Sequence, residues 1–350
     1  MTLPVHHDAT RYNGSTSRAR LLSMLNASWM TQAAAVAVQL RLPELLAGGP
    51  LPASKLARAA DCHPPSMLRL LRALTSLDLL AEAPEGSFAL TELGTHLRAD
   101  ASGSLAAWAV LCGTSSWTAW SKLADSVRTG QSARKLMRGS DGFDHLENDP
   151  EAALVFNRAM VDLTQPIAAA VLGAVDFTDV RQIVDVGGGV GELLATILAA
   201  YPRMRGVLFD LAHTSRTATD LLARAGVSDR CELVTGSFFD EVPHGADAYL
   251  LKSVLHDWDD ERCATILRQC RLAMPAQARL LIIERMMPSR YSCSPTDQGI
   301  ARSDLNMLVG PGGRERTESE YRAMLDAVRV KTIRVQGLTD SYSVLEAVPA

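Results

Sequence analysis

The chain has six cysteines, and none of them makes a recognisable pair. Cys62, Cys112, Cys231, Cys263, Cys270 and Cys293 include no C-x-x-C, and none has a histidine at zinc-ligand spacing. This excludes a zinc module and points to reduced thiols in a cytoplasmic protein. Surplus positive charge is lacking too: 35 Lys and Arg against 39 Asp and Glu give a net -4. Without an overall basic field, nucleic acid is not an expected partner. No run reaches about 18 uninterrupted apolar residues, and the first twenty or so residues contain no signal-type apolar core, so neither membrane insertion nor export is expected. His6 and His7 are adjacent, but on a polar terminus they are expected to be a disordered pair and not a metal site. What the chain has in plenty is core-forming material, 47% hydrophobic over 350 residues.

Two patterns divide it. From Leu21 to about Leu97 apolar residues return every three or four positions, which predicts helices. Pro52 to Ala60 reads as a short helix and "DCHPP" as a turn. A second helix starts at Pro65, where a missing N–H costs nothing, and buries Met67, Leu68, Leu71 and Leu74. "LLAEAPEGSFALT" reads as a hairpin about Pro84, Glu85 and Gly86. Helix, turn, helix and hairpin outline a winged helix, with Arg69 and Arg72 as candidate DNA contacts. Glu82, Glu85 and Glu92 surround the wing, however, where phosphate contact calls for Lys or Arg. A structural or dimerising module is the better reading. Ahead of it, "WMTQAAAVAVQLRLPELL" is a helix with little polar surface on any side, which predicts a subunit interface.

After Val171 strands and helices alternate. "RQIVDVGG", "RGVLFD", "CELVTGS", "DAYLLKSVL" and "ARLLIIERM" are apolar almost throughout, which predicts a parallel sheet covered on both faces. "VKTIRVQG" and "YSVLEAV" read as an antiparallel pair closing it. The expected fold class is α/β: a doubly wound, Rossmann-like domain at 109–350, with linking helices at 109–170, behind a winged-helix-like dimerisation domain at 1–108.

In such a sheet the ligand sits beyond the carboxyl ends of the strands, where "VDVGGGVGE" places its glycines. Gly187 and Gly189 fit a dinucleotide fingerprint, but Glu192 stands where the third glycine belongs, and a carboxylate there repels pyrophosphate. No Gly-Lys-Ser/Thr follows, so a P-loop is excluded as well. S-adenosylmethionine has a ribose and an amino-acid tail but no phosphate, and it suits Gly187, Gly189 and Gly191 with an acidic helix start. Asp210, about twenty residues on at the end of the second strand, is placed to accept ribose hydroxyls, though alone it would read as a helix cap.

His256 follows the fourth strand on the ligand side. A phenol has a pKa near 10 and imidazole one near 6.5, so a histidine can take the proton that an accepting hydroxyl must lose. Glu284 and Glu315 are candidate carboxylates to orient it. Glu315 has a competing reading in starting the helix near Thr317.

"FNRAM", "VDVGGGVGE", "LFDL", "LLKSVLHDWDDERC", "LLIIERMMP" and "GGRERT" together resemble the caffeate-type plant and microbial O-methyltransferases over nearly the whole chain. The resemblance implies His256 as general base flanked by Glu284 and Glu315. It implies Gly187, Gly189, Gly191 and Asp210 against the methionine and ribose parts of the cofactor, Lys252 nearby, and no metal. Phe156, Asn157 and Met160 would line the acceptor site, as would Asn306 and Met307 of "SDLNMLVG". The expected partners are a small aromatic hydroxyl compound and a second copy of the chain, with neither nucleic acid nor membrane.

Two positions depart from the family. Ser237 in "GSFF" replaces an aspartate that usually bonds the adenine, while Phe238 keeps the apolar contact. "AVRV" replaces a Gly-Phe before the last strand pair, so the resemblance leaves that turn unspecified. Competing readings are N- or carboxyl-methylation, a hydroxylase or decarboxylase that uses the cofactor only for its charge, and a transcriptional regulator. His256 favours methyl transfer to oxygen.

Overall fold

The computed structural model describes residues 17–140 and 142–350, so His6 and His7 lie outside the described residues. Contacts divide the chain into a unit ending at Arg98 and a unit from Ala99 to Ala350. A cut at residue 108 would fall inside the helix Ala106–Gly113, which packs on Pro150–Ala174 of the second unit.

In the first unit the helices Ala53–Ala59 and Pro64–Ser76 and the strands β2 (Leu80–Glu82) and β3 (Ser87–Leu90) follow the expected winged-helix order. Met67, Leu71 and Leu74 are buried and Leu68 packs beside them. The sequence reading missed β1 (Leu51–Pro52), which pairs antiparallel with β3 to give the order β1-β3-β2. Two residues are too few to show a period. Arg72, a candidate DNA contact, sits 3.8 Å from Glu82 across the helix–wing junction.

The helix Ser17–Gln39 buries only Ala35 and Ala37. Leu21, Leu22, Met24, Leu25, Trp29 and Met30 are all exposed, Trp29 at 68%. By length and mean hydropathy this helix is sufficient to cross a membrane, although no apolar run in it is unbroken. Ser23, Asn26, Ser28, Thr31 and Gln32 interrupt it.

The second unit is a seven-stranded sheet of order β6-β5-β4-β7-β8-β10-β9. Its strands are β4 (Gln182–Val186), β5 (Arg205–Asp210), β6 (Cys231–Thr235), β7 (Ala248–Lys252), β8 (Arg279–Arg285), β9 (Val330–Gly337) and β10 (Tyr342–Pro349). The first five are parallel, as their apolar runs predict, with large hydrophobic clusters among the residues of the sheet and its helices. β6 differs from that expectation: it is the edge strand, and Glu232, Leu233 and Thr235 are exposed. The final pair is antiparallel, but the later strand, β10, lies inside between β8 and β9. Its register sets Ser343 opposite Glu284. Adjacent parallel strands turn their carboxyl ends to the same edge, so the residues after Val186, Asp210, Lys252 and Ile283 are brought together.

The unspecified turn is formed, with Arg329 at φ +58° linking the helix Glu318–Ala327 to β9. A side chain in that left-handed region costs about 1–2 kcal/mol, and glycine's greater unfolded freedom returns about 0.4–1 kcal/mol of it. Arg329→Gly is therefore expected to raise stability by roughly 0.5–1 kcal/mol. Denaturant unfolding checks it, and a loss of stability would show the turn to be unstrained.

Candidate active site

Three carboxylates surround one buried imidazole. His256 lies on the short turn Leu255–Asp257 after β7, at 6% exposure, while Glu284 near the end of β8 and Glu315 are both 0% exposed. His256 Nδ1 is 3.1 Å from Glu315 Oε1 and 3.6 Å from Glu284 Oε2. Nε2 is engaged by neither glutamate, and has Asp257 Oδ1 at 3.6 Å. The three residues that sequence reasoning joined across 59 positions do meet.

Each carboxylate is itself held. Glu284 Oε1 accepts from the backbone N–H of Val254 (3.0 Å) and Leu255 (2.9 Å), fixing the turn that carries His256. Glu315 Oε1 accepts from Ser303 Oγ at 2.6 Å, and its own N–H donates to Asp304 Oδ1. The competing role for Glu315 is taken by Thr317, which forms a full capping box with Glu320. Arg316, fully buried and missed from sequence, donates to the carbonyls of Leu255 and Trp258 and to Asp260, clamping the far side of the same turn.

Proton affinities follow. Burial pulls the His256 imidazole down, but Glu284, Glu315 and Asp257 outweigh it and raise the group to about 9. This corrects the sequence expectation of a value near 6.5. Burial lifts Glu284 to about 7 and Asp257 to about 6. Glu315 is also buried, yet the imidazolium and the Ser303 hydroxyl hold it below its usual range. One histidine and two glutamates whose ligand atoms lie within 4.8 Å of one another also have the make-up of a cation site; Glu284 Oε1 is occupied by amides, while Oε2 of both glutamates has no hydrogen-bond partner among the described residues.

The glycine loop closes the other half. Gly187, Gly189 and Gly191 take φ of +68°, +61° and +86°, which glycine alone adopts freely. Gly189 N–H donates to Asp210 Oδ2 at 2.7 Å and Leu211 N–H to Asp210 Oδ1 at 2.6 Å, so the expected loop and carboxylate are bonded to each other. Phe238 lies against Gly187, within 3.2 Å of where a Cβ there would stand. Ser237 Oγ accepts from the Phe239 N–H.

Asp185, on β4 two residues before Gly187, was missed. It is 1% exposed and neither carboxylate oxygen has a hydrogen-bond partner. Burial first, and Asp210 next, push it to about 7 against the pull of Lys252. Lys252 is lowered to about 8, chiefly by burial. Its Nζ donates to Thr164 Oγ1 at 2.9 Å, and Thr164 in turn donates to the Met160 carbonyl. That chain ties the "FNRAM" helix, Pro150–Ala174, to the cofactor strand.

The remaining expected residues spread around this junction. Asn157 is buried, and Phe156 stacks on Phe143 at 5.5 Å between centroids. Phe143 continues to Trp258 (6.4 Å), and Trp258 to Phe238 (6.0 Å) and Phe239 (4.9 Å). Asn306 and the buried Met307 follow Ser303 by three and four residues, on one face of the helix Pro295–Val309. Asn306 Oδ1 accepts from Trp120 Nε1 at 3.0 Å, while Trp117 is exposed. No sequence signal marks the Phe143–Trp258 contacts, which depend on tertiary packing alone.

Comparison with known proteins supplies the context. The O-methyltransferase domain profile matches residues 120–328, and the O-methyltransferase dimerisation domain profile matches residues 22–100. The chain is 38% identical to the phenazine O-methyltransferase PhzM of Lysobacter antibioticus, over 94% of this chain and 95% of that one. It is 42% identical to the O-demethylpuromycin-O-methyltransferase of Streptomyces alboniger, over 90% and 84%. Among solved structures it resembles the O-methyltransferase NcsB1 of neocarzinostatin biosynthesis, in complex with S-adenosylmethionine and 2-hydroxy-5-methyl naphthoic acid. That match has a TM-score of 0.76 and 31% identity, and covers 92% of this chain and 96% of that one.

The tightest glycine of the loop makes the sharpest test. A Cβ on Gly188 would stand 2.5 Å from the Asp185 carboxyl carbon and 2.5 Å from Leu208 Cδ1, both buried. Gly188→Ala is expected to cost about 1–3 kcal/mol of stability through overpacking and to weaken cofactor binding, read by denaturation and calorimetry. A variant with unchanged stability would mean that the loop backbone gives way freely.

Proposed function

The chain belongs to the O-methyltransferase family, and from that premise we propose that it moves a methyl group from S-adenosylmethionine to a phenolic hydroxyl of a small aromatic secondary metabolite, with His256 as general base. The observation that carries this reading is the buried imidazole whose Nδ1 is fixed by Glu315 and Glu284 while Nε2 is engaged by neither.

The residues present fit the cofactor. Asp210 is held by two backbone amides in the position for ribose, and Asp185 is a buried carboxylate without a partner, the complement of an ammonium group. A Cβ on Gly189 would meet no protein atom within 4 Å, so the loop can take a ligand against its backbone. Ser237 uses its oxygen as an acceptor for Phe239 and retains its hydroxyl hydrogen for one bond to an adenine. When bound, S-adenosylmethionine supplies an already electrophilic methyl group.

The protein's own work is then positioning and proton transfer. Lys252, Thr164 and Met160 hold the acceptor-lining helix against the cofactor strand, and alignment of this kind can supply several kcal/mol of a barrier. His256 takes the phenolic proton at Nε2 while Glu315 stabilises the positive charge at Nδ1. An imidazole at about 9 is closely matched to a phenol near 10, which makes transfer between them nearly balanced. Phe143, Trp258, Phe238 and Phe239 give the site an apolar wall.

The dimerisation-domain match and the apolar face at Leu25 and Trp29 support a homodimer, and the unpaired thiols accord with a cytoplasmic enzyme. Leu25→Glu with Trp29→Glu is expected to halve the sedimenting mass, and an unchanged mass would place the interface elsewhere.

His256→Ala is expected to bind cofactor normally and to lose on the order of 10²–10⁴ in turnover. Retained turnover would remove the base assignment. Because carboxylates raise the imidazole, its base form appears only as pH rises. Turnover should therefore climb through pH 7 to about 9, and Glu315→Gln should move that limb to lower pH.

A further inference from the structure

One half-buried cation has no work in the chemistry above. Arg134 lies on the helix Ala133–Arg138, and burial, its largest influence, lowers its proton affinity. Among the described residues its guanidinium makes one hydrogen bond, from Nη1 to the Gly142 carbonyl at 3.2 Å, and it rests over the Phe143 ring at 5.5 Å. The carboxylate that acts on it, Asp257, does so through space and without a hydrogen bond. A guanidinium has five donors, and withdrawing it even partly from water with most of them uncommitted carries a cost.

Its surroundings are the acceptor-lining elements. Phe143 bridges Phe156 and Trp258, and Trp258 follows the turn that carries His256 and Asp257. On another side, Arg134 Nη2 stands 4.0 Å from where a Cβ on Gly310 would be, at the end of the helix that bears Asn306 and Met307. Asp257 is near enough that it and Arg134 shift each other, while Arg138 and the half-buried His145 are the other basic groups facing it. Arg134 and Arg138, together with burial, hold His145 down at about 4, so at neutral pH it adds no competing charge.

We propose that Arg134 is a specificity residue that receives an anionic substituent, a carboxylate, on the aromatic acceptor. The proposal rests on the methyltransferase reading above. A carboxylate accepts two parallel N–H bonds from a guanidinium, geometry that a neutral amide cannot reproduce. Phe143 beneath the guanidinium keeps its plane in register with an aromatic acid stacked beside Phe156 and Trp258. Asp257 repels a second carboxylate, so an acid held at Arg134 keeps its own carboxylate away from Asp257 and presents its hydroxyl toward His256.

The test reads binding, independent of turnover. Protein saturated with S-adenosylhomocysteine is titrated calorimetrically with a hydroxynaphthoic acid and with its carboxamide, and with a hydroxybenzoic acid and its carboxamide. In the unmodified enzyme at least one acid should bind tenfold or more tightly than its amide. Arg134→Gln should bring that ratio to about one, and Arg134→Lys should keep part of it. An acid-to-amide ratio near one in the unmodified enzyme, or the same ratio in Arg134→Gln, overturns the proposal. A merely structural Arg134 would weaken both members of a pair equally, which also overturns it. Methyl transfer from S-adenosylmethionine to the same compounds, followed by product mass, reports separately on the methyltransferase reading.

Discussion

The structure is organised around the cost of burying Glu284 and Glu315 together. Two carboxylates beside one another in an apolar interior are strongly disfavoured unless a cation and hydrogen bonds compensate them. His256 provides the cation, and the backbone amides of Val254 and Leu255 and the hydroxyl of Ser303 provide the bonds. The imidazole and the two amides come from the turn after β7, and the hydroxyl from the helix Pro295–Val309. Satisfying the pair therefore fixes the turn after β7, the end of β8 and the helix Pro295–Val309 relative to one another. Arg316 completes the arrangement by bonding the two carbonyls that the same turn presents on its other side.

The glycine loop solves a related problem at the adjacent strand end. Asp185 is buried and Asp210 half-buried, and Lys252 is the nearby cation. Asp210 is satisfied by the amides of Gly189 and Leu211, and Asp185 has no hydrogen-bond partner among the described residues. A fold tolerates such an orphan where a ligand completes it.

Much of this was legible in the sequence because each residue type was diagnostic at a strand end. Apolar runs located β4, β5, β7 and β8, and parallel pairing then brought their carboxyl ends to one edge. Glycines at 187, 189 and 191, Asp210, His256 and Glu284 could be placed by that rule alone. What stayed illegible depends on strand order or on distant contacts. β6 has an apolar sequence and becomes an edge only through its place in the order. Asn306 has its amide oxygen occupied by Trp120, 186 residues away. The imidazole's proton affinity is set by three carboxylates, of which sequence reasoning weighed two. Arg329 shows the converse, since a departure from the family's glycine left the turn intact with the strain placed on a side chain.

The distribution of charge gives the site a direction. Buried carboxylates gather where the proton is taken and where the cofactor binds, and the cofactor and the imidazolium are both cationic. A neutral phenol entering such a site has no electrostatic reason to present its hydroxyl and not another edge, since the aromatic walls of Phe143, Phe156 and Trp258 are indifferent to rotation in the ring plane. An acceptor that carries a carboxylate can be restrained by a cation set apart from the base. Arg134 is a half-buried cation of this kind, lying between Phe143 and the end of the helix that carries Asn306. On the proposed function and the role proposed for Arg134, the base governs whether transfer occurs, and the cation governs which oxygen of an acidic acceptor receives the methyl group.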